Sequence, residues 1–168
     1  MFKKSLIALS LMVLPLTASA NWSAGAGYAN LSDSDDGESI SLGVIYGAVA
    51  YEFTKEGSNF SLMPELRLGT GVSDDKFYGA KIEVERFTAL SVRGQYNYDN
   101  GVYLYVMPSY ANLDMKASFR SESYSNDSWE FGFGGGIGKN ITDKASIEAS
   151  YESYDGTDVL TVGFKYAF

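Results

Sequence analysis

Residues 160–168, LTVGFKYAF, alternate between large apolar side chains and small or polar ones. Leu160, Val162, Phe164, Tyr166 and Phe168 share one face, and the residues between them share the other. A repeat of two residues is typical of a β-strand whose two faces meet different surroundings. The stretch therefore predicts a strand that is apolar along one whole side.

The same alternation recurs along most of the chain. It is clearest in WEFGFGGGIG at 129–138, and it slips in phase within 40–53, which predicts a bulge near Tyr46. The face that Tyr103 and Tyr105 occupy stays open, because their strand is apolar on both phases at its start. The predicted strands lie at 22–28, 40–53, 62–72, 90–98, 102–115, 129–138, 145–152 and 160–168.

Two kinds of connection alternate between these strands. Short connections lie at 54–59, 99–101 and 142–144, and Asn100–Gly101 is a strong signal for a tight turn. Longer polar connections lie at 32–38, 73–79, 117–127 and 153–158. An up-and-down meander shows this alternation when its short turns collect at one end. The sequence thus predicts an all-β fold, an eight-stranded antiparallel up-and-down β-barrel with both termini at the short-turn end.

The composition of the two strand faces indicates which side of the barrel is inside. The continuous apolar face gathers aromatic residues near strand ends, as Trp22, Trp129 and Tyr166 do, which is typical of the girdles of lipid-exposed barrels. The other face is rich in glycine and serine, which suit a crowded interior. We therefore expect a transmembrane barrel with an apolar outside and a packed polar lumen.

Charged residues on the small-residue face predict an ion network in that lumen. A barrel of eight strands is only wide enough for its own side chains, and buried charges require partners. The carboxylates Glu148 and Glu152, which could suggest acid–base chemistry, are interpreted as members of this network. The network comprises three acidic and three basic residues: Glu65, Arg67, Arg93, Glu148, Glu152 and Lys165.

The first twenty residues have the pattern of a secretory signal peptide, with Lys3 and Lys4, an apolar run from Leu6 to Leu16, and the small triplet 18–20. Cleavage there leaves residues 21–168 as one barrel domain with 11 basic and 21 acidic residues, a net charge of -10. That acidity argues against nucleic-acid binding. The chain has no His and no Cys, which excludes imidazole chemistry, thiolate chemistry and disulfides.

The signal peptide, the eight alternating strands, the run WEFGFGGGIG and the terminal strand LTVGFKYAF together resemble small outer-membrane barrels of the OmpX/Ail type and the barrel domain of OmpA. The resemblance implies the bacterial outer membrane as location, with lipid and lipopolysaccharide around the barrel. It also implies contact with periplasmic chaperones and the barrel-assembly machinery. The signal read by that machinery would be Leu160, Val162, Phe164, Tyr166 and Phe168.

Three functions stay open at this point. We expect a monomer with a structural or surface-interaction role, without cofactors, metals or catalysis. The alternatives are a narrow or gated pore for ions or small solutes and, remotely, a lipid-modifying enzyme, although barrels that modify lipid A generally depend on His. The acidic stretch Asp33, Asp35, Asp36 and Glu38 could hold a divalent cation, but its spacing departs from the EF-hand and favours a solvated loop.

Overall fold

The fold is described from a computed structural model that covers residues 21–35, 38–54, 56–77, 80–119 and 122–168. The predicted signal peptide, residues 1–20, lies outside these ranges and stays a prediction. No helix in the described ranges is long and apolar enough to cross a bilayer. The strands are β1 (Trp22–Asp35), β2 (Glu38–Tyr51), β3 (Phe53–Thr54), β4 (Phe60–Gly71), β5 (Asp74–Phe77), β6 (Ala80–Asn97), β7 (Val102–Phe119), β8 (Glu122–Asn140), β9 (Ala145–Tyr154) and β10 (Thr157–Ala167).

Two of these ten strands continue a preceding strand, so together they form a closed barrel of eight antiparallel strands. This confirms the predicted fold. β3 continues β2 along the same edge of β4, and β5 continues β4 along β6. The ladder is absent between the pairs Ala50↔Glu65 and Phe53↔Leu62. Pro64 lies in this gap and has no N–H to donate. The missing hydrogen bond separates β3 from β2, but the register is the same on both sides of the gap. The pairing of β4 with β6 closes the sheet.

The stagger of the barrel can be followed from one paired residue to the next. A path that starts at Ala50 of β2 and moves from each residue to its paired neighbour around the barrel ends on β2 again. It ends at Ile40, ten residues from its start. Such a stagger tilts the strands against the barrel axis. The route runs through Ala50, Glu65, Ser91, Ser109, Gly132, Tyr154, Thr157, Asp33 and Ile40.

The bulge expected near Tyr46 is wrong. The ladder between β1 and β2 is continuous from Trp22↔Tyr51 to Asp35↔Glu38. The apolar phase of β2 slips because Val44 is fully buried inside the barrel, whereas Ile45 and Val49 face outward. The register shift lies instead in β6, between Val84 and Arg86.

The start of β1, the end of β10 and the short turns lie at one end, which we call the inner end because short turns face the periplasm in outer-membrane barrels. The Asn100–Gly101 turn is present there: Gly101 has a φ of 76°, and Asn100 Oδ1 accepts the N–H of Val102 at 3.0 Å. At the opposite, outer end the predicted polar connections are shorter than expected. β7 and β8 stay paired as far as Phe119↔Glu122, because a ladder is held by backbone hydrogen bonds even where neither face is apolar.

Candidate functional site

The six residues predicted for the lumen lie together inside the barrel and come from four strands. Glu65 and Arg67 come from β4, Arg93 from β6, Glu148 and Glu152 from β9, and Lys165 from β10. Alternation turns all of them inward, and their ion pairs connect β4 and β6 with β9 across the lumen. They form two groups along the barrel axis.

The outer group is centred on Arg67 and Glu152. The guanidinium is bidentate, with Nη1–Oε1 at 2.5 Å and Nη2–Oε2 at 2.7 Å. Glu152 is fully buried and also accepts hydrogen bonds from Ser109 Oγ at 2.9 Å and Tyr154 OH at 2.7 Å. Arg67 Nη2 donates further to Ser91 Oγ at 3.0 Å. A buried pair needs such additional partners to offset its desolvation.

The inner group is centred on Glu148. Its Oε1 accepts from Arg93 Nη1, Lys165 Nζ and Tyr103 OH, each at 2.7 Å. Arg93 also donates to Glu65 Oε2 at 3.0 Å, and Glu65 Oε1 lies 3.5 Å from Arg67 Nε. Glu65 is therefore the link between the inner and outer groups.

Tyr103 and Tyr105 both face the lumen, which settles the question that the sequence left open. They are 2% and 5% exposed, and Arg93 Cζ lies 3.9 Å from the centre of the Tyr105 ring. The rings lie over Gly138 and Gly136 of β8, where any Cβ atom would collide with them. These glycines thus make room for the tyrosines that contact the inner ion group.

An apolar cluster fills the lumen on the outer side of the ion groups, and here the expectation of a polar lumen is wrong. We call it the apolar plug. Arg67 Cζ lies 5.8 Å above the ring of Phe87, a member of the plug, and the ring of Tyr46 packs edge-on against Phe87. The plug consists of Ala29, Leu31, Leu42, Val44, Val84, Phe87, Ala89, Ala111, Tyr154 and Val159.

The plug lies where the strands continue outward past the ion groups. The outward residues at this level are mixed: Asn30 donates to Ser41 Oγ at 2.8 Å, whereas Ile45, Trp129 and Phe131 are large apolar side chains that are 49%, 44% and 66% exposed. On β1 and β2 the apolar side chains Leu31, Leu42 and Val44 turn inward at this level, whereas β8 keeps Phe131 on the outside. Sequence analysis missed the plug, although the phase slip in 40–53 was its signal.

The remaining sequence-predicted residues lie outside the lumen or beyond what is described. Leu160, Val162, Phe164, Tyr166 and Phe168 all face outward, and their role as an assembly signal stays a prediction. Asp33 is exposed, whereas the side chains of Asp35, Asp36 and Glu38 lie outside the described part of the chain. Within that part, no group of three or more acidic, His or Cys side chains is arranged to hold a metal ion.

Comparison with known proteins gives a family and a fold. Residues 5–168 match the family model described as outer membrane protein beta-barrel domain. No curated protein sequence matches the chain. Solved structures with the same fold include the attachment invasion locus protein Ail of Yersinia pestis, in complex with the heparin analogue sucrose octasulfate. It is 19% identical, with 90% of this chain and 100% of that one covered and a TM-score of 0.66.

Two further structures share the fold. Neisserial surface protein A is 11% identical, with 88% of this chain and 97% of that one covered and a TM-score of 0.62. The N-terminal β-barrel domain of Pseudomonas aeruginosa OprF is 13% identical, with 90% and 100% covered and a TM-score of 0.62. At these identities the likeness is one of fold.

Proposed function

Because the chain belongs to the outer membrane protein beta-barrel domain family, we propose that it is a sealed barrel of the bacterial outer membrane that presents an interaction surface at its outer end. Export would proceed through the signal peptide at 1–20, with periplasmic chaperones and the barrel-assembly machinery as transient partners. Lipid and lipopolysaccharide would surround the apolar outer face of a monomer. The role needs no cofactor and no catalysis.

The lumen supports a sealed barrel better than a pore. The ion groups fill its inner part with hydrogen-bonded pairs, and the apolar plug closes its outer part. Val44 and Ala89 in the plug are fully buried, and nine of its ten side chains carry no polar atom, while the tenth, Tyr154, directs its hydroxyl to Glu152. Apolar constrictions of this kind block ions because they stay dry.

The proposed interaction surface rests on one observation: β8 pairs with β7 over more residues than with β9. This strand pairs with β7 from Glu122 to Lys139, but with β9 only from Gly132 to Asn140. Among the described residues, the backbone at 122–131 therefore has no ladder partner on the side away from β7. We call this stretch the β8 edge. An open strand edge is a template on which an extended polypeptide can add a strand.

The polyanion bound by Ail is not proposed as a ligand here. The full chain carries 21 acidic and 13 basic residues, a net charge of -8, and opposes a sulfated partner by charge. An extended peptide segment that supplies backbone hydrogen bonds suits the β8 edge better.

The edge can be blocked by one substitution. The N–H of Asn140 donates to Gly101 O on the β7 side, so even-numbered residues of β8 point their N–H toward β7. The N–H of Asp127 consequently points to the open side. Asp127→Pro removes that donor without touching the β7 ladder, and Asp127→Ala is the matched control that keeps it.

The test is panning of a random peptide library on the barrel in lipid nanodiscs. We expect enriched peptides to bind the native chain and the Asp127→Ala variant equally and to lose binding to Asp127→Pro. Bound peptide should also slow amide exchange at 123–131. If no peptide is enriched, or if binding survives Asp127→Pro, the barrel has a structural role alone.

A further inference from the structure

Two small cavities lie among the ion groups of the lumen. The outer one, of about 10 Å³, is lined by Arg67, Met107 and Thr161, among others, and the inner one, of about 20 Å³, reaches Ser23 and Lys165 near the inner end. These volumes are the space open to the centre of a water-sized sphere, and on this measure about 10–15 Å³ is enough for one water molecule. They share four lining residues, which place them next to each other along the axis: Tyr46, Glu65, Arg93 and Glu148.

Three polar atoms of residues that line the outer cavity have no hydrogen-bond partner. They are Arg67 Nε, Arg93 Nε and Thr161 Oγ1. Their residues are 3%, 3% and 4% exposed, so bulk water does not reach them. Arg67 Nε keeps the 3.5 Å ion-pair contact with Glu65 Oε1, whereas Arg93 Nε and Thr161 Oγ1 have neither a hydrogen bond nor an ion pair in the described part of the chain. A buried donor without a partner is costly, and two of them on residues that line one water-sized space indicate a bound molecule that accepts and donates hydrogen bonds.

Charge decides the chemical class of that molecule. The ion groups contain three acidic and three basic side chains and are balanced without a further ion. Glu65 and Glu148 also line the outer cavity and would repel an anion, while the two guanidinium groups would repel a cation. A neutral molecule with two donors and two acceptors fits both demands.

We propose that the outer cavity binds one water molecule, and that the two cavities form a short file of water that enters from the inner end and stops at the apolar plug. Lys165, at the start of the file, has a side chain that is 13% exposed. Phe87, directly beyond Arg67, offers no polar atom to continue it. The lumen is thus hydrated from one side only.

Radiolytic labelling tests the file in the intact barrel, because hydroxyl radicals made from bound water oxidise the side chain beside it. Met107 is 1% exposed and lines the outer cavity, whereas Met63 is 5% exposed and lines neither cavity. We expect oxidation of Met107 to exceed that of Met63 several-fold. Equal or lower oxidation of Met107 would overturn the proposal.

Thr161 provides a second, independent measurement. Thr161→Val removes the hydroxyl and should lower both the oxidation of Met107 and the melting temperature, whereas Thr161→Ser should change neither. If Thr161→Val melts higher than the native chain and Met107 is oxidised as before, the hydroxyl has no water partner and the proposal fails. Peptide binding at the β8 edge is measured separately and does not enter either outcome.

Discussion

Arg93 is the side chain on which the inner ion group depends most. It is 3% exposed, it donates to Glu65 and Glu148, and its guanidinium covers the ring of Tyr105. Removal of one partner from a buried ion pair leaves the other charge without compensation, which typically costs about 3–5 kcal/mol. Glu148 keeps Lys165 as a partner and Glu65 keeps Arg67, so a loss near the middle of this range follows.

Arg93→Met should therefore lower the free energy of unfolding by about 4 kcal/mol. Thermal unfolding in detergent micelles, followed by circular dichroism, measures the effect. Lys144→Met, which removes a positive charge from an exposed turn, is the control and should leave the melting temperature unchanged. An unchanged melting temperature for Arg93→Met would show that the ion groups do not stabilise the folded barrel.

Individual residues also show how far sequence reasoning can reach. Alternation predicted that Arg67 and Glu152 face inward, because period and charge are local properties of a strand. It could not predict that their side chains would meet, since this contact depends on the ten-residue stagger of the whole barrel. Ser109, a further partner of Glu152, was missed for the same reason.

The β-bulge in β6 is the element that keeps the plug and the ion groups in one strand. Val84 and Phe87 are both buried inside the barrel, although residues three apart in a regular strand face opposite sides. The register shift between Val84 and Arg86 absorbs Glu85 as an extra residue. The sequence pattern gave no sign of it, because the positions around Glu85 are charged.

Deletion of Glu85 should therefore be tolerated, since the ladder becomes regular and Val84 still faces inward. Deletion of Thr88 should not, because it turns Phe87 outward and forfeits its burial, worth about 1.5–3 kcal/mol. Urea unfolding of both variants, with heat-modifiable gel mobility as the sign of a folded barrel, separates them. Equal destabilisation would contradict the role assigned to the bulge.

At the scale of the whole molecule, the barrel has two parts that differ in what fills the lumen. The inner part of the lumen holds the ion groups and the outer part holds the apolar plug, while apolar side chains such as Phe131 remain on the outer surface at the level of the plug. β2 passes from one to the other between Val44, which faces the plug, and Ile45, which faces outward. The eight-stranded fold could be predicted from the repeat of two residues, whereas the change from a polar to an apolar lumen appears only when neighbouring strands are placed in register.

The proposed seal predicts that the native barrel does not conduct, and this can be tested against a variant with an opened plug. Native protein in planar bilayers should show no unitary conductance. Serine at Val44, Phe87 and Val159 together replaces three fully or almost fully buried apolar side chains, admits water through the plug and should produce small, brief openings. Phe87→Leu keeps the constriction apolar and should stay silent. Unitary events in the native protein would favour the pore instead, whereas silence of the folded triple variant would place the barrier in the ion groups.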